Sequence, residues 1–135
     1  MTYSTLREKI SAEKLEREQR YARFASLWDE AWQAGVKAAM AVTPRPMIVM
    51  DQDGKPVDYV SEGPCGFAWL NVPGNTSFGK WLQKQGIARP DYPKGLSVWI
   101  SAYEQSYTRK AAHARAMADV LKANGIECGA RSRLD

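Results

Sequence analysis

The residues from Leu96 to Lys110, LSVWISAYEQSYTRK, change periodicity midway, and that change constrains the fold more than any other stretch. Leu96, Val98, Ile100 and Ala102 alternate with Ser97, Trp99, Ser101 and Tyr103, the two-residue period of a strand with two different faces. From Ser106 onward apolar residues recur at helical spacing as far as Leu121, and Asn124 with Gly125 supplies a stop. A strand is therefore predicted to run into a helix that Ser106 caps. Backbone N–H groups converge at such a corner, where Gln105, Ser106, Arg109 and Lys110 gather with Trp99 and Tyr103 close by. The arrangement suits an anion. Lys110 also falls on the arc of Tyr107, His113, Ala114, Met117 and Leu121, where it either snorkels past the helix start or points into a polar cleft.

Upstream, residues 4–41 read as one long helix or two in line, with Thr5 and Glu8 spaced for a capping box. Its halves differ. Between Arg7 and Arg20 only Ile10 and Leu15 are large and apolar, whereas Tyr21, Phe24, Trp28, Trp32, Gly35 and Ala39 form a continuous stripe. The second half is expected to dock on the domain; the first projects into solvent or lies against another subunit. Thr43-Pro44-Arg45-Pro46 breaks the helix, dividing the chain into a helical segment, 1–42, and an α+β domain, 43–135.

Within that domain Met47–Met50 and Val57–Val60 are spaced as a hairpin around Asp51–Gly54, and Asp51, Asp53, Asp58 and Glu62 are accounted for by its turn chemistry. Cys65–Val72 reads as a third strand, Thr76 or Ser77 caps a short helix that Gly86 stops, residues 87–95 form a loop, and Ile126–Leu134 is a last strand with Ile126, Cys128, Ala130 and Leu134 inward. The economical architecture is α+β: a mixed or antiparallel sheet of about five strands carrying the later helices on one face. Phe67, Trp69, Trp99 and Tyr103 fall on the other face. The N-terminal stripe is the expected lid over these rings, with base stacking by an open platform as the alternative.

The chain is long enough for a core without staples, and no run approaches the ~18 apolar residues of a membrane span. A cytoplasmic location with reduced Cys65 and Cys128 is expected. A lone histidine, His113, and two cysteines without ligand spacing call for no metal and no cofactor, and His113 reads as a core or boundary residue. Residues 74–80, GNTSFGK, match a phosphate-binding loop in outline, yet Trp81 stands where Ser or Thr would bind magnesium, so a capped helix explains them better. Net charge is +1 over residues 1–41, zero over 42–104 and +3 over 105–135. The basic excess is C-terminal, a footprint that a phosphate-bearing partner can use.

The segments GPCGFAWLNV, FGKWLQKQG, VWISAYEQSYTRKAAHARA and GARSRLD resemble an uncharacterised group of small proteins encoded by tailed bacteriophages, over residues 60–135. The resemblance implies a setting, that of an accessory protein in an infected bacterial cytoplasm, where counter-defence proteins are common. It carries over no activity and no catalytic residue. Together these features lead to the expectation of a non-catalytic protein that binds a nucleotide or nucleic acid at the strand-to-helix corner. The alternative is a protein-binding inhibitor or assembly component working through the N-terminal helix, with a host protein as partner. Self-association into a homo-oligomer is expected in either case.

Overall fold

The computed structural model describes residues 2–44, 46–60 and 62–135. Helix α1 spans Tyr3–Ala41, about 58 Å at 1.5 Å per residue. Its cap is Thr2, whose hydroxyl accepts from Thr5 N at 3.2 Å, not the Thr5–Glu8 box that the sequence predicts. The earlier hydroxyl takes the role because the helix starts one turn sooner. Every residue from Thr2 to Gln19 is exposed.

The second half of α1 builds the core. Ala31, Gly35 and Ala39 are buried and leave room for α3 (Tyr107–Ala123) to approach, so these two helices pack along one another. Alongside that seam, Phe24 meets Phe78 edge to face at 5.2 Å and lies 6.0 Å from Trp81, both on α2 (Ser77–Lys84). The cap of α2 is Thr76, which accepts from Gly79 N at 3.1 Å. Gly79 is glycine for a packing reason: a Cβ there would strike the Pro73 carbonyl oxygen. The phosphate-loop outline of residues 74–80 is thus a capped, close-packed helix start.

Among the described residues six strands form two sheets, confirming the α+β class. The first is a separate hairpin, β1 (Met47–Met50) against β2 (Pro56–Val60). Its turn is held by Asp51 Oδ1, which accepts from Asp53 N and Lys55 N at 2.9 Å each. The second comprises β3 (Gly66–Val72), β4 (Arg89–Pro90), β5 (Leu96–Trp99) and β6 (Gly129–Leu134), in the order β4-β5-β3-β6, antiparallel throughout. The 87–95 stretch therefore contributes an edge strand. The last strand starts three residues later than expected; Ile126, Cys128 and Ala130 pack against the core, but Leu134 is exposed.

Along β3 burial alternates strictly. Ala68, Leu70 and Val72 face inward with Leu96, Val98 and Ile100, beneath Met117, Ala118 and Leu121 of α3. The three helices of the described residues lie on this inner side. The expectation that α1 covers Phe67, Trp69, Trp99 and Tyr103 is corrected: small residues at 31, 35 and 39 fit α1 against α3, and its aromatic stripe is spent on α2 and His113. Among the described residues no helix covers the outer face of the four-stranded sheet, which is open at Trp99 and closed at Ser97.

Candidate functional site

Strand register dictates what that outer face presents. Trp69 is paired with Trp99 on one side and Arg131 on the other, Phe67 with Arg133, and Asn71 with Ser97 and Gly129, while Arg89 pairs with Ser97 at the edge. Cross-strand partners share a face. The indoles of Trp69 and Trp99 stack with centroids 4.6 Å apart and planes within 22°, and Phe67 meets Trp99 edge to face at 5.9 Å. Trp99 is 43% exposed. Phe67 and Trp69 are half-buried and Trp99 exposed, so the rings form a ledge and are not lidded by a helix as expected.

Cations border the rings. Arg133 Cζ lies 5.2 Å from the Phe67 centroid and Lys110 Nζ 5.8 Å from it. The outward positions of the four strands include Arg89, Arg131 and Arg133 and no carboxylate. At the far end, Trp69, Asn71, Asp91, Tyr92, Lys94 and Arg131 line a cleft of about 310 Å³, in which Asn71 Nδ2 donates to Asp91 Oδ2 at 2.9 Å. The basic excess of the last third of the sequence is in part this sheet edge.

The strand-to-helix corner is built differently from an anion site. After Trp99 the chain makes one more bond to β3, Ile100 N to Ala68 O at 2.9 Å, and then turns through left-handed backbone at Tyr103 and Glu104. Ser106 caps α3 as the sequence predicts, accepting from Arg109 N at 3.4 Å, and Tyr107 N donates to Pro64 O at 3.2 Å. Those N–H groups have protein partners. Tyr103, Gln105 and Ser106 do line a cleft of about 280 Å³, but Glu62 and Glu104 line it too, which disfavours an anion.

Arg109 is committed elsewhere. Its Nε donates to Glu62 Oε2 at 2.9 Å, and its Nη1 donates to the carbonyls of Ala39 at 2.6 Å and Val42 at 3.2 Å. It clasps the end of α1, supplying donors to carbonyls a helix C-terminus leaves unpaired. Lys110, one residue on, is only 5% exposed, and its Nζ reaches Phe67. The six predicted residues thus divide: Tyr103, Gln105 and Ser106 border the acidic cleft, Arg109 holds the fold together, and Lys110 and Trp99 belong to the sheet face.

Tyr103 also leaves the ring set. Its hydroxyl lies 2.7 Å from His113 Nδ1, and burial raises its pKa, an effect that the Arg109 guanidinium partly offsets. His113 is fully buried against Trp32 at 4.4 Å, and burial holds its pKa down at about 4. This pair is a core fixture. The residues that single-sequence reading passed over are Arg131, Arg133 and Arg89, because only register reveals that they neighbour the rings.

No family model, curated protein or solved structure matches this chain.

Proposed function

We propose that the open sheet face binds single-stranded nucleic acid, with Phe67, Trp69 and Trp99 stacking on bases and Arg89, Arg131, Arg133 and Lys110 meeting phosphates. The stacked Trp69–Trp99 pair, with Trp99 exposed, carries this reading. Two indoles on adjacent strands cost apolar exposure that folding does not require, and a base offers each a matching π-face. The bordering cations add an attraction independent of sequence. The chemistry is binding, and the phosphate-bearing partner expected from the sequence is retained while its place moves from the corner to the sheet. In a phage-infected cell such a protein would sequester or protect single strands as an accessory factor, a counter-defence role included.

Fluorescence titration of the native tryptophans with a decathymidylate tests it. Quenching that saturates, and that weakens steeply between 50 and 200 mM salt, is the expected result. Absence of quenching at low salt would reject the reading.

A second surface favours assembly as well. Ile48, Met50, Val57 and Tyr59 of the hairpin are each more than half exposed, and a lone two-stranded hairpin is marginal in water. On α1, Tyr3, Leu6 and Ile10 continue the docked stripe beyond the domain. These apolar groups support a protein-binding or self-associating role beside the nucleic-acid face.

A further inference from the structure

We propose that Lys110 and Arg133 form a subsite for a terminal phosphate group, so that the protein grips the end of a strand, or a mononucleotide, at the Phe67 margin of the sheet. The inference rests on the reading of this face as a nucleic-acid surface and adds which part of the ligand sits where.

Lys110 is the starting point. Lys110 is only 5% exposed as a residue, its aliphatic stem buried and its ammonium held beside the Phe67 ring. Among the described residues the one ion pair is Arg109 with Glu62, and it involves neither Lys110 nor Arg133. Both cations nevertheless approach the same ring, at 5.8 and 5.2 Å from its centroid. An anion bound at the margin of that ring would be attracted by both charges.

The charge of the anion follows from the count. A phosphate monoester carries −1.5 to −2 near neutral pH, which two cations neutralise, whereas an internal phosphodiester carries a single charge. The place fits an end. After Trp99, which packs edge to face on Phe67, the chain makes one more bond to β3, Ile100 N to Ala68 O, and beyond Gly66 it passes into the Cys65–Ser106 bridge, so Phe67 and Trp99 are the last rings of the face on this margin. The stacking surface stops where the cations gather. Lys110 also lies in the first turn of α3, whose dipole adds positive potential there.

The test compares decathymidylates without a terminal phosphate, with a 5′-phosphate and with a 3′-phosphate, together with thymidine and its 5′- and 3′-monophosphates, by tryptophan fluorescence. One phosphorylated form should bind about tenfold more tightly than its unphosphorylated counterpart. Lys110→Gln and Arg133→Gln should each erase that preference. Arg133 is exposed on β6, so its variant reads the effect even where Lys110→Gln unfolds, which circular dichroism checks. Were a monophosphate to bind while thymidine and every oligonucleotide do not, the subsite would stand and the strand-binding reading would fall. Oligonucleotides that bind equally with and without a terminal phosphate, or monophosphates and oligonucleotides that all fail to bind, would overturn the subsite.

Discussion

Gly35 lies directly against the imidazole of His113: a Cβ built on it would sit 2.5 Å from His113 Cδ2 and 2.6 Å from Nε2. The seam between α1 and α3 is closed at this point by the absence of a side chain. Gly35→Ala improves helix propensity by about 1 kcal/mol, yet the overlap it forces in a packed core costs about 1–3 kcal/mol. We expect a lowered melting temperature, and recovery in the double variant with His113→Ala; an unchanged single variant would show that the seam gives way freely.

The same histidine makes stability depend on pH. Its folded pKa of about 4 lies below the ordinary 6.5, so the unfolded chain binds the extra proton between those values. The stabilising contribution is complete above pH 6.5 and is lost as pH falls toward 4, about 3 kcal/mol in all. Denaturant melts at pH 7 and pH 4.5 should show this loss, and His113→Gln should flatten it.

Arg109 ties three parts of the chain together: the end of α1, Glu62 and the first turn of α3. Arg109→Gln should lower stability by about 1.5–3 kcal/mol, the range for hydrogen bonds to a charged group. Oligonucleotide affinity should remain, measured where the variant is folded. Lost affinity with unchanged stability would instead place an anion at the corner.

Much of the fold was legible because its signals are local. Thr76 and Ser106 cap their helices through hydroxyls in their own first turns, and Asp51 organises its own hairpin. The arrangement of layers was not. Whether α1 covers Trp99 or α3 depends on Gly35, Ala31 and Ala39 matching a surface some 80 residues away, which periodicity does not encode. The candidate site suffered in the same way: Lys110 and Trp99 were singled out individually, but Arg131 and Arg133 acquire meaning only through register with Trp69 and Phe67.

Trp99→Ala separates ledge from core. With Trp99 43% exposed, its removal should cost less than the roughly 3–5 kcal/mol of a buried tryptophan. Oligonucleotide binding should weaken by about 1–3 kcal/mol, the worth of one stacked base. A large drop in melting temperature with affinity intact would return the ring to a structural role.

Removing residues 2–18 should leave the domain folded, since docking of α1 begins around Arg20 and Tyr21. If Tyr3, Leu6 and Ile10 join copies of the chain, sedimentation of the full chain should show self-association that the shortened chain lacks. Ile48→Glu tests the hairpin in the same assay. A full chain that is monomeric at high micromolar concentration removes both surfaces from consideration.

Strand β3 has a further consequence for the order of events during synthesis. Both of its sheet neighbours, β5 and β6, follow it in the chain, so on the ribosome Trp69 and the two unpaired edges of β3 emerge before any strand that covers them. A nascent chain halted before Gly129 would hold the tryptophans without Arg131 or Arg133 beside them. Such an intermediate is sticky and less basic than the finished protein, the kind of species chaperones retain. The ledge therefore acquires Arg131 and Arg133 only when β6 is laid down, and a ligand that needs them could be held only after that strand has paired.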